Sequence, residues 1–187
     1  MTTDSWQIGD VKITRIVELT AVRTPDFGYR NLTTEEILRE TWLQPHFVTP
    51  DGGLKSCVQA FVVESQGRRI VVDTCVGNDK PRGNAAWNEL RGTFLDDLSA
   101  AGYPPESIDI VLCTHLHVDH VGWNTTLSGG RWLPTFTNAR YLFGRTEWEH
   151  WQQETVAAIA GDVDLEIAEA VMDCPAVNQD SIRPVIE

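Results

Sequence analysis

Three of the five histidines in this 187-residue chain, together with one aspartate, fall within residues 114–122, Thr-His-Leu-His-Val-Asp-His-Val-Gly. Ile110, Val111 and Leu112 just upstream form an apolar run of strand character. In an extended chain side chains at i and i+2 lie on one side, so His115 and His117 can reach the same ion. Asp119 and His120 are neighbours in sequence and converge only where the chain has turned out of its strand. Gly122 and the polar run Asn124-Thr125-Thr126 permit that turn, and the pair would then serve a second ion beside the first. Imidazole nitrogen with carboxylate oxygen suits zinc best, with iron, manganese or cobalt as substitutes, and a mixed His/Asp set argues against a structural thiolate site. The alternative is a His-rich turn that caps a helix or binds nothing; the strand leading into the motif favours the metal.

The elements that must position these residues can be read in chain order. Residues 6–8 and 11–19 alternate about Gly9-Asp10, the pattern of a β-hairpin. Residues 20–32, with Pro25, Gly28, Phe27 and Tyr29, read as a long irregular loop of the kind that builds binding walls on rigid scaffolds. Thr33 and Glu36 make a capping box ahead of a short helix running to about Trp42, before Pro45. Residues 44–54 are loop again, and His46 within them reads as an ordinary loop histidine. Residues 56–64 and 69–74 are two apolar strands joined by a turn, the second delivering Asp73 at its end. Trp87, Leu90, Phe94, Leu95 and Leu98 recur at helical spacing and predict a helix over 86–101, closed by Gly102 and Pro104-Pro105. The next strand, 108–113, runs straight into the histidine motif, giving the strand–helix–strand order of a layered α/β sheet. Beyond it, 140–143 reads as a strand, and Thr146 with Glu149 as a second capping box opening a helix through Trp148 and Trp151. His150, on that helix, reads as a surface or packing residue. Residues 165–172 form a further amphipathic helix, and Asp180 reads as the N-cap of a last one.

The pattern His115-x-His117-x-Asp119-His120-x-Gly122 resembles the signature of the metallo-β-lactamase-fold hydrolases. Upstream, Ile70-Val71-Val72-Asp73-Thr74-Cys75-Val76-Gly77 fits that family's apolar strand ending in an Asp-Thr-x-x-Gly turn beneath the metal loop. The long N-terminal segment, the run Asp-Thr-Cys-Val-Gly-Asn-Asp-Lys and the ending His-Val-Gly-Trp-Asn are most similar to the branch of acyl-homoserine lactonases and methyl-parathion-hydrolase-like enzymes. The resemblance implies an α/β fold, the N-terminal half of an αβ/βα sandwich with one sheet and helices on its outer face, residues 1–187 being a single domain truncated at its C-terminus. It implies His115, His117, Asp119 and His120 as metal ligands and two zinc ions in the complete enzyme. Asp73 would cap its own turn, hold the metal loop from behind, or do both.

Two ions need roughly six protein contacts, and the motif supplies four. In relatives the rest come from a Gly-His segment, a bridging aspartate and a last histidine, so here they are expected on a longer chain or on a partner chain. The implied function is hydrolysis of lactone or ester bonds through a metal-bridging hydroxide, with Asp119 orienting the nucleophile or shuttling its proton to the leaving group. A phosphotriesterase of the same fold is the alternative, and a non-catalytic metal-binding half-domain is the reading outside enzymology.

Composition narrows the rest. The formal net charge of −12 disfavours nucleic acid and anionic membrane surfaces as partners, leaving a small-molecule substrate and room for a homodimer. Cys57, Cys75, Cys113 and Cys174 show no Cys-x-x-Cys spacing and read as reduced, structural thiols. The first residues carry no basic-then-apolar leader pattern, so a cytoplasmic location is the expectation.

Overall fold

A computed structural model describes residues 4–25, 29, 31–160 and 174–186. They divide into two compact units, one of Met1–Glu18 with Gln59–Glu187 and one of Leu19–Val58. Strands β1 (Ser5–Ile8), β2 (Val11–Arg23), β3 (Leu54–Ser65), β4 (Arg68–Val72), β5 (Ile110–Leu112) and β8 (Arg140–Leu142) form one six-stranded sheet in the order β1-β2-β3-β4-β5-β8. β6 (Thr125–Ser128) and β7 (Arg131–Pro134) form a separate hairpin. The helices are α1 (Thr34–Arg39), α2 (Phe94–Ala100) and α3 (Arg145–Ala160), followed by a helical stretch made of Cys174–Val177, a π turn over Asn178–Ile182 and a 3-10 turn over Arg183–Val185.

Local sequence explains the antiparallel half of the sheet. Ile8 pairs with Val11 across Gly9-Asp10, and Ser65 pairs with Arg68 across Gln66-Gly67. Gln66 and Gly67 both have positive φ, which is what a two-residue hairpin loop of matching twist requires. The other half is parallel. Val72 pairs with Leu112, and Leu112 with Leu142, so β4, β5 and β8 end level with one another. In an open parallel sheet this carboxyl edge is where loops gather to bind ligands. Asp73 leaves β4 there, the histidine motif leaves β5, and α3 follows β8.

Alternate residues of these strands build the core: Ile16, Ala60, Val62, Val71 and Val111 are buried, and Phe94 and Leu98 of α2 are buried with them. Each such valine, isoleucine, leucine or phenylalanine side chain contributes about 1.5–3 kcal/mol. In the second unit Ile37 and Val48 are buried, and the Thr33 capping box forms as read: the Thr33 hydroxyl accepts from the Glu36 N–H while the Glu36 carboxylate accepts from the Thr33 N–H.

Several elements differ from the sequence reading. β2 continues to Arg23, so the loop starts later than residue 20. The helix over 86–101 contracts to Phe94–Ala100. Asn78 explains the shortening: its side chain accepts from the Gly92 N–H (2.8 Å) and donates to the Gly92 carbonyl (2.9 Å). The Asp79 N–H goes to the Leu90 carbonyl and the Glu89 N–H to the Lys80 carbonyl, which spends on loop closure the groups a longer helix would have used. α3 begins at Arg145, with the Trp148 N–H on the Gly144 carbonyl, so Thr146 lies inside the helix and is not its cap. Hairpin β6–β7, unread in the sequence, turns at Gly129-Gly130, both at positive φ. Cys57 is exposed where Cys75 and Cys113 are buried. The helix read over 165–172 lies outside the described residues.

Asp180 is also reassigned. It caps nothing and is buried inside the π turn, where Arg82 donates to both its carboxylate oxygens (2.7 and 2.9 Å). Lys80, fully buried, donates to the Thr125 hydroxyl (2.8 Å) and lies with Nζ 3.6 Å from the Trp132 ring centre. Two cations thus share one carboxylate, a charge pattern with no signature in the sequence because its members lie a hundred residues apart.

Candidate metal centre

β5 delivers the motif at the level of the sheet's edge. The backbone then turns: the His120 N–H bonds the His117 carbonyl (3.0 Å), and Gly122–Asn124 forms a 3-10 turn. This turn brings the adjacent Asp119 and His120 round beside His115 and His117. The His115 ring stands 4.5 Å from that of His117 and 3.9 Å from that of His120, centre to centre.

Two close approaches join ring nitrogens and the carboxylate of the motif. His115 Nε2 and His117 Nδ1 are 3.1 Å apart, and His120 Nε2 and Asp119 Oδ2 are 3.6 Å apart. Two nitrogens bound to one tetrahedral ion stand about 3.3 Å from each other, and an oxygen and a nitrogen sharing an ion at a wider angle about 3.5 Å, so each spacing suits one shared zinc. The residues fit the group. Among the described residues no group of three or more His, Cys, Asp or Glu side chains is arranged to hold one ion.

Asp73 stands behind the motif. Its carboxylate accepts from the Thr114 N–H (2.8 Å) and from the Thr114 hydroxyl (2.9 and 3.0 Å), and its Oδ2 lies 2.9 Å from His120 Nδ1. That last contact falls short of hydrogen-bond alignment, so it is close proximity without a formed bond. It leaves Nε2 of His120 as the nitrogen turned toward Asp119. Burial works to raise the Asp73 carboxyl, but His120 and Thr114 outweigh it and hold the group below the ordinary aspartate range. Burial likewise works to lower the His120 imidazole, and Asp73 and Asp119 together raise it above its usual value. The neighbouring Cys113 thiol is pushed up to about 12 by burial and offers no thiolate.

The turn carrying Asp73 takes positive φ at Asp73 (59°), Cys75 (54°) and Gly77 (81°). It is stitched to the histidine loop by three backbone bonds of 2.7 Å: the Thr74 N–H to the His120 carbonyl, the Gly122 N–H to the Cys75 carbonyl and the Trp123 N–H to the Thr74 carbonyl. The approach is so close that a Cβ on Gly122 would stand 1.8 Å from the Val76 carbonyl oxygen, which is why the motif ends in glycine.

Two carboxylates absent from the sequence reading hold the loop from outside. Glu147 of α3 accepts from the Leu116 N–H (3.0 Å) and from Trp151 Nε1 (2.6 Å), and the Trp151 ring meets His117 edge-on at 5.1 Å. Glu18 of β2 accepts from the Val76 N–H (2.8 Å), the Gly77 N–H (3.0 Å) and Trp123 Nε1 (2.6 Å). No local pattern marks either residue, since a glutamate in an alternating strand or on a helix reads as solvated. His150 is exposed and meets the Trp151 ring edge-on, and His46 is exposed in the other unit.

The sequence model of the metallo-beta-lactamase superfamily matches residues 58–176. The N-acyl homoserine lactonase AiiA of Bacillus thuringiensis subsp. kurstaki is 26% identical over 117 residues, which is 54% of this chain and 42% of that protein. Among solved structures, the hydrolase AbOPH of the beta lactamase superfamily superposes with a TM-score of 0.68 at 24% identity, over 95% of this chain and 56% of its own. AidC, a dizinc quorum-quenching lactonase solved with a homoserine product, superposes with a TM-score of 0.67 at 15% identity, over 98% of this chain and 58% of its own. The structural matches show the shared fold. The chain spans about half the length of each of these relatives.

Proposed function

Because the chain belongs to the metallo-beta-lactamase superfamily, we propose that it carries the first part of a dinuclear zinc hydrolase that opens lactone or ester bonds, N-acyl homoserine lactones being the substrate class to try first. The observation that carries this reading is the pairing of donors at the sheet's carboxyl edge, His115 with His117 and Asp119 with His120, at spacings that each suit one ion. Relatives of about twice the length support placing the remaining ligands on the other part of one longer domain. Zinc, when bound, supplies Lewis acidity and a water of lowered pKa.

The chain's own residues do the positioning. Asp73 keeps His120 in the orientation that presents Nε2 beside Asp119. Thr114, bonded through both its N–H and its hydroxyl to Asp73, fixes the start of the loop. Asp119 is the carboxylate placed to accept a proton from the attacking water and return it to the alcohol that leaves when the ester bond breaks.

Zinc content and lactone hydrolysis measured on the natural full-length protein, with H117A and D119N beside it, test the reading. Two zinc ions per chain and lactone turnover lost in both variants are expected. Turnover of phosphotriesters without lactones would move the substrate class, and a protein that takes up no zinc would end the proposal.

A further inference from the structure

Glu18 lies outside the motif and touches none of the four donors, yet its carboxylate receives three N–H groups from two different segments. Val76 and Gly77 belong to the turn that carries Asp73; Trp123 belongs to the 3-10 turn through which the histidine loop leaves the sheet's edge. These are the two segments already joined by the Thr74, Gly122 and Trp123 backbone bonds, at a crossing with no room for a Cβ. Glu18 closes the outer side of that crossing. A carboxylate has only acceptors, so it takes three donors without conflict. A carboxamide in its place would turn an NH2 toward at least one of them.

The clamp acts on one end of the loop. His120, whose carbonyl bonds Thr74, and Asp119 beside it are attached to the crossing. His115 and His117 are held from the opposite end, through Thr114 on Asp73 and Leu116 on Glu147. The Trp123 ring is fixed from its other side by stacking on Phe94, centre to centre 5.8 Å, so the Nε1 bond to Glu18 sets its remaining freedom.

We infer that Glu18 is a positioning residue that fixes the Asp119–His120 pair relative to the His115–His117 pair. The inference rests on the proposed metal site and deepens it: Glu18 bonds the segments next to the Asp119–His120 pair directly, whereas it reaches the His115–His117 pair only through Asp73 and Thr114, so its loss disturbs the first pair more.

The test is the E18Q variant of the natural full-length protein, with W123F, which removes only the indole donor, as a milder second variant should E18Q fold poorly. In the metal-free state, 15N-histidine spectra are expected to show His120 shifted and broadened while His115 and His117 stay in place. On titration with zinc, one of the two uptake steps should weaken by about 10–100-fold, the usual effect of removing a partner behind a ligand, and the other by less than about twofold. Variants that move all three histidines together, weaken both steps equally, or change neither readout overturn the inference. Wild-type protein that takes up no zinc sinks the functional proposal alone, because the metal-free spectra still decide the role of Glu18.

Discussion

Replacing Lys80 by methionine gives a prediction whose size and sign both come from the structure. Lys80 is fully buried between Thr125, Trp132 and Asp180, and Asp180 is already engaged by both terminal nitrogens of Arg82. Burial drives the Lys80 ammonium down to about 7, with Asp180 opposing that fall and Arg82 adding to it. The unfolded chain keeps a lysine at 10.5. A drop of that size corresponds to roughly 4–5 kcal/mol of destabilisation when the group is charged, at 1.36 kcal/mol per unit. The sign follows from proton counting. Between about 7 and 10.5 the unfolded chain holds a proton on Lys80 that the folded chain does not, so this residue makes stability rise with pH through that window. Below about 7 the full cost is present, and above 10.5 it is gone.

Methionine matches the length of lysine, suits the indole face and leaves the Arg82–Asp180 pair balanced. Thr125 keeps its bond to the Asp180 carbonyl. In urea titrations at pH 6, 7, 8 and 9, the stability gap between K80M and wild type should therefore favour K80M by a few kcal/mol at pH 6 and shrink by about 1 kcal/mol per pH unit above 7. A gap that stays flat with pH, or one that favours wild type at pH 6, would refute the assignment of Lys80 as a cation whose burial outweighs its share of Asp180.

Other substitutions test the same architecture. Arg82→Ala leaves Asp180 buried without its bidentate partner and should cost about 3–5 kcal/mol in denaturation; a loss under about 1 kcal/mol would mean that Lys80 alone suffices for it. Gly122→Ala sets a methyl group against the Val76 backbone and should cost about 3 kcal/mol or more in thermal unfolding, together with zinc uptake. An alanine variant with wild-type stability would show that the two loops are not in contact. Asp73→Asn retains the size of the side chain but removes the charge facing His120, so the His120 imidazole should titrate at lower pH in metal-free NMR; an unchanged midpoint would show that Asp73 does not act on it. The 187-residue chain alone should take up less than two zinc ions and hydrolyse neither lactones nor phosphotriesters, as mass spectrometry and ester assays would show.

Wherever the governing interactions are local, the sequence carries the structure. Gly9-Asp10 and Gln66-Gly67 turn hairpins because their backbones tolerate positive φ or tight reversal, and the Thr33 capping box closes over three residues. The histidine motif is legible for the same reason: its four donors sit within six residues, and one strand end is enough to bring the first two together. Position in the sheet follows as well, since a strand, a helix and a second strand in succession lead to parallel pairing and place both loops at one edge.

What depends on distant partners is silent in the sequence. The periodicity of residues 86–101 predicted one helix, but Asn78 captures both backbone groups of Gly92 and shortens it. Asp180 carries the mark of a helix cap and instead neutralises a buried arginine 98 residues away. Glu18 and Glu147 look like solvent-facing charges until tertiary contact supplies the N–H groups they accept. The approach of Asp119 and His120 to the other two histidines is likewise tertiary, because the backbone turn after His117 is held by the Asp73 strand end lying beside it. Residue types determine which atoms can bind a metal, whereas the angle and distance between those atoms belong to backbones that meet only when the sheet has formed.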